Sequence, residues 1–220
     1  MEPSNNKREA ILETALVLFT KRGFYGTPTA MISREAGVAT GTLFFYFRTK
    51  EDLIDELYRQ IKSEAAAALQ EGVDREQTTR AKIRRVGENA IAWSTTNQNK
   101  FRFMEQFAHS SFVSMTAHEE GISHFLFLKE LIRDGIQEGV VRESETELLC
   151  AVLASSLSGL AARIMETPDP VRQKILVRQG LTFIWNGIAA YPDDKTCIVT
   201  NIQTMEKNRE TANGRYTGGL

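Results

Sequence analysis

One stretch limits what this chain can become: TPTAMISREAGVATGTLFFYFRTK, residues 27–50. Thr27 ahead of Pro28 puts a hydroxyl in a capping position and a proline where its missing N–H costs nothing, which predicts a helix over about 30–36. Gly37 follows the last periodic residue and can adopt the left-handed conformation that a side chain resists, so the chain turns through Gly37, Val38 and Ala39. A second short helix follows from about Thr40 to Phe47. Two short helices about a tight turn make a helix-turn-helix.

Leu43 and Phe47 lie four apart on one face of the second helix, as do Ile32 and Ala36 on the first, so the pairs can share a small core. Thr40, Thr42, Phe45 and Tyr46 then point elsewhere, and Gly41 lets the backbone approach another surface. A helix start of this kind suits a DNA major groove. Thr40, Gly41, Thr42, Phe45 and Tyr46 are expected to face the groove, with Phe45 on a thymine methyl and Tyr46 on a phosphate or base edge. Thr29 and Lys50 are expected to hold the DNA backbone. Ahead of the motif, Ile11, Leu12, Ala15, Leu16 and Phe19 make an amphipathic helix over 7–22, closed by Lys21, Arg22 and Gly23, and Phe24 plugs the shared core. Residues 1–50 hold seven Lys and Arg against four Glu, a local surplus of three on a chain whose net charge is −1. That places the attraction for phosphate at one end.

The first 55 or so residues resemble the amino-terminal domain of the TetR/AcrR family of bacterial and archaeal transcriptional regulators. The agreement in order and spacing runs through Ile11, Ala15, Phe19, Gly23, Phe24, Thr27, Thr29, Ile32, Ala36, Gly37, Val38, Gly41, Thr42, Leu43, Tyr46, Phe47, Lys50, Asp52 and Leu53. Two positions depart from the family pattern: Phe44 stands where tyrosine is usual, and Ala39 where serine often caps the second helix. The resemblance implies a fourth helix that links a DNA-binding head to a helical body, pairing of two copies through that body, and control by a small molecule. The implied function is a ligand-responsive repressor on a palindromic operator; a helical interaction module without DNA binding is the alternative.

Beyond the head, Thr49 and Asp52 have the spacing of a capping box for a helix that runs to about Leu69. Glu71 to Thr79 is polar and without period, the expected boundary, and a helix over about 80–95 follows. The block from Phe101 to Phe112 is dense in aromatics. It reads either as core or as the wall of a cavity for an apolar or aromatic effector, lined by Trp93, Phe101, Met104, Phe107, Phe112 and Met115. One amphipathic helix is expected over 118–137 and another from a capping box at Ser144 and Glu147 to about 166. Asp169 and Pro170 start the last long helix. Small residues on the 144–166 helix and a bulky stripe on the 170–190 helix suggest half of a four-helix interface between two copies.

The expected fold is therefore all-α: a three-helix helix-turn-helix head over 1–50, a larger helical bundle for ligand binding and dimerisation over 51–191, about nine helices altogether, and a polar tail over 192–220. No HExxH pair, phosphate loop, nucleophile elbow, dinucleotide fingerprint or inward-facing carboxylate set accompanies it, so no enzyme, metal or cofactor is expected. His109, His118 and His124 are assigned surface or capping roles. Cys150 and Cys197 form no framework, which fits a reducing cytoplasm, and the 15-residue uncharged run from Leu148 to Ala162 is short of the roughly 20 residues of a membrane helix.

Overall fold

The computed structural model describes residues 3–108 and 110–191. They form ten α-helices and one 3₁₀ turn: α1 Pro3–Arg22, α2 Thr29–Glu35, α3 Thr40–Tyr46, α4 Lys50–Gln70, the turn Val73–Arg75, α5 Thr79–Thr96, α6 Gln98–Phe107, α7 Met115–Ser123, α8 Leu126–Gln137, α9 Thr146–Met165 and α10 Pro170–Ile188. The all-α expectation holds. The expected tail, with Cys197, lies outside the described residues, as does His109.

Local capping and turn chemistry explains several of the boundaries. Gly23, Gly37 and Gly139 all take positive φ, near 70°, where a side chain would strain the backbone. At α4 the Thr49 hydroxyl accepts from Asp52 N while the Asp52 carboxylate accepts from Thr49 N, the reciprocal cap the spacing predicts. Asp169 caps α10, with Pro170 in its first turn.

Three local expectations are corrected. Thr27 does not cap α2; Pro28 occupies that position, and the Thr27 hydroxyl turns inward, donating to Gly23 O at 2.8 Å and Leu18 O at 3.2 Å. Burial wins there, because an inward hydroxyl must find its partners inside. Ser144 and Glu147 form no capping box: α9 starts at Thr146 with no side-chain cap, and Glu147 is drawn away to Lys129. The single helix expected over 118–137 is two. α7 is pinned to α4, where a Cβ on Gly121 would stand 2.6 Å from the Tyr58 ring, whereas α8 packs on α5 and α9. The apolar period runs through both, so it cannot show that they follow different neighbours. His118, assigned a surface or cap, bonds the hydroxyl of fully buried Tyr58 at 3.1 Å.

The core falls into three clusters. The first joins α1–α4 to α6 and α7, through Ile11, Phe19, Ile32, Leu43, Tyr58 and Phe103. A second holds α5, α8, α9 and α10 together, with Val73 of the 3₁₀ turn inside it. That makes residues 71–79 a closed corner rather than a loose linker, and Asn89 fastens it by donating to Leu69 O and Glu71 O. The third is small: Ile91, Phe101, Ala161 and Ile164.

Candidate nucleic-acid interface

The helix-turn-helix is held from one side only. Ile32 and Leu43 are fully buried against α1 and α4, and the Ser33 and Thr40 hydroxyls meet at 3.1 Å across the turn. Ala39 occupies the N-cap of α3 and supplies no side-chain bond, so α3 is fixed by packing and that hydroxyl pair instead of by a cap.

With Leu43 and Phe47 inside, the opposite side of α3 is open. Thr40, Gly41, Phe44 and Phe45 are exposed; Thr42 and Tyr46 are half-buried. Phe45 has 80% of its surface free, and its ring meets Tyr46 edge-on with centroids 5.2 Å apart. Nothing lies within 4 Å of where a Gly41 Cβ would stand, so its open side is available to a backbone or base edge. Thr29, the first residue of α2, is half-buried.

Lys50 sits differently from its expected role on the DNA backbone. Its ammonium donates to Phe24 O and lies 3.8 Å from the centroid of the Phe24 ring. Burial there pulls its pKa below the usual lysine value, opposed by the neighbouring Glu51. In this geometry Lys50 fastens the start of α4 to the turn after α1. Phe44 and Arg48, both exposed beside α3, extend the open surface beyond the expected groove residues. As a departure from the family pattern, Phe44 signals only a lost hydroxyl; the same helical spacing that turns Leu43 and Phe47 inward turns its ring out.

The six residues expected to line an effector cavity do not share one wall. Phe107 packs on Phe19 of α1 at 5.9 Å, and Phe112 stacks flat on Phe24 at 3.9 Å. Met104 also borders this first cluster, Phe101 belongs to the third, and Trp93 borders both. Met115 is 80% exposed. Because α6 shares apolar partners with α1, much of the aromatic block forms the seam between head and body. A cleft of about 350 Å³ lies beside α3 and α4, lined by charged groups including Arg8, Arg48, Asp52 and Glu56. Arg8 and Glu56 pair at 2.5 Å, and this cleft does not suit an apolar molecule.

On α9 and α10 an apolar face lies open. Leu148, Val152, Val171, Ile175 and Phe183 are exposed, interspersed with small Ala151, Ser155, Gly159 and Gly187. As folded, α9 is 20 residues long, so by length and composition it reaches what a membrane crossing needs, and only 22% of that window is buried within the chain. Its uncharged part is still the 15-residue run between Glu147 and Arg163. The helix nonetheless packs against α5, α8 and α10.

Comparison with known proteins agrees with this architecture. Residues 11–57 match the sequence profile of bacterial regulatory proteins of the tetR family, and residues 58–190 that of the tetracyclin repressor-like C-terminal domain. A putative tetR family transcription regulator from Shewanella sp. PV-4 superposes with a TM-score of 0.77 at 33% identity, covering 83% of this chain and 98% of its own. The uncharacterized HTH-type transcriptional regulator YhgD of Bacillus subtilis is 22% identical over 192 residues, 85% of this chain and 99% of its own. The transcriptional regulator FadR from Bacillus subtilis, solved in complex with stearoyl-CoA, shares the fold at 19% identity and a TM-score of 0.69, covering 82% of this chain and 98% of its own.

Proposed function

The chain belongs to the TetR family of bacterial regulatory proteins and is a DNA-binding transcriptional regulator, and from that premise we propose that it is a cytoplasmic repressor that binds a palindromic operator as a homodimer and is released by a small apolar effector. Each head presents α3 to a major groove. The observation that carries the reading is the one-sided burial of α3, with Leu43 inside while Gly41, Phe44 and Phe45 are open. Thr40, Gly41, Thr42, Phe45 and Tyr46 are proposed to meet the groove, and Thr29 the DNA backbone. Lys50 serves the backbone contact by fixing the N-terminus of α4 or, once freed from Phe24, by its own charge.

Pairing is proposed through α9 and α10, where two copies would cover each other's apolar face. Two-fold symmetry then matches an operator whose half-sites lie about one helical turn, roughly 34 Å, or a small multiple apart. The neighbour solved with stearoyl-CoA supports an effector with a long apolar portion. Its proposed site is the body beside Trp93 of α5 and Met104 of α6, both half-buried. Displacing α6 would shift Phe103 and Phe107 against Phe19 and so re-aim the head. A ligand does this only by the difference in its affinity for the two head positions.

The test is retardation of the DNA flanking the protein's own gene, with a parallel thermal-shift screen of apolar and aromatic compounds. Compounds that raise the melting temperature should weaken the retarded complex. A chain that prefers no duplex over random-sequence DNA would instead be a helical interaction module.

A further inference from the structure

The recognition helix α3 reads TGTLFFY, without arginine, lysine, asparagine, glutamine or a carboxylate. The forked donor pairings that read guanine, and the amide pairing that reads adenine, are therefore absent from it. Of its hydroxyls, that of Thr40 is engaged with Ser33, and those of Thr42 and Tyr46 belong to half-buried residues. What the helix turns outward is carbon: Phe45 at 80% exposure and Phe44 at 43%. The Phe45 ring meets Tyr46 edge-on, and Tyr46 itself packs on the head core.

Charge says what covers this patch. Residues 1–50 hold a surplus of three positive charges, and exposed Arg34 and Arg48 flank α3 in sequence, drawing a phosphate backbone towards it. In a major groove, the base-pair feature that suits carbon is the C5 methyl group of thymine. We infer that this protein specifies its operator chiefly through methyl groups, with Phe44 and Phe45 seated on thymines of each half-site. A cytosine methylated at C5 carries the same group in the same place, and replaces thymine there. The inference rests on the DNA-binding reading above and names what that site reads.

The experiment uses the full chain. Duplexes are selected from a random pool, and the tightest is resynthesised with deoxyuridine for thymidine one position at a time, with affinity measured by fluorescence anisotropy at fixed salt. Each thymine beneath α3 should lose about fourfold in affinity when its methyl is removed. At the same positions, 5-methylcytosine opposite guanine should bind more tightly than cytosine opposite guanine. In Phe45→Ala, whose helical content should be unchanged because the ring is exposed, the uracil effect should vanish at the positions Phe45 covers. A selected duplex that binds tightly but is indifferent to uracil throughout overturns this inference and leaves the DNA-binding reading standing. A uracil effect undiminished in both Phe45→Ala and Phe44→Ala also overturns it. A pool from which nothing is enriched overturns both.

Discussion

In the head, Ile11, Phe19, Ile32 and Leu43 are fully buried, whereas on α9 and α10 Leu148, Val152, Val171, Ile175 and Phe183 face solvent. Both regions are built from amphipathic helices of similar chemistry. They differ in what completes them. The head's short helices close over a core finished within the chain by α4 and α6. The carboxyl-terminal pair buries one side of each helix and leaves other apolar residues at 42–76% exposure. Exposed apolar residues grouped on two neighbouring helices mark an interaction surface. The comparison teaches that exposure is informative by place: on α3 it is two rings on one short helix, which the proposed reading sets in a groove, while on α9 and α10 it spreads over two helices, which the proposed reading covers with a second copy.

The largest effect is expected where the head's core is opened. Phe19 touches Phe24, Phe103 and Phe107, so Phe19→Ala should lower stability by about 3–5 kcal/mol in chemical denaturation. A loss below about 1 kcal/mol would mean that the head does not depend on this seam. Next is the opposite face. Phe183, 76% exposed, packs on little within one chain, so Phe183→Glu should change monomer stability by less than about 0.5 kcal/mol. Yet each copy would lose about 1.5–3 kcal/mol of burial in a dimer, and sedimentation should show dissociation. A variant that sediments as wild type would remove α10 from the interface.

Gly37 sharpens the head alone. At φ +69 with no atom near its missing Cβ, Gly37→Ala carries a backbone penalty and no clash. Its cost should be about 1–2 kcal/mol, read by denaturation. Smallest is Thr49→Ala, which breaks the reciprocal cap between Thr49 and Asp52 where head meets body, and should cost about 1 kcal/mol. No change in either variant would show that tertiary packing, not local geometry, sets those boundaries.

What could be read from the sequence follows from how local its cause is. Gly23, Gly37, the Thr49 and Asp52 box and the Asp169 cap act over three or four residues, and the spacing alone exposes them. Thr27 and Ser144 have the same local signature, but other partners decide each: the carbonyls of Gly23 and Leu18 claim the Thr27 hydroxyl, and Lys129 claims Glu147. Lys50 could not be placed because its partner, Phe24, lies 26 residues away. The aromatic block, read either as core or as a cavity wall, divides between clusters for a related reason. Phe101 and Phe107 are six apart on one helix and belong to different clusters, a division set by which helices arrive on each side.

The open sides of α3 and of the α9 and α10 pair make one joint claim, that two chains dock two recognition helices on one duplex. The direct measurement is the stoichiometry and footprint of the full chain on its selected duplex. The account predicts two chains per duplex and two protected half-sites related by a two-fold axis. One chain per duplex with a single protected stretch would contradict it.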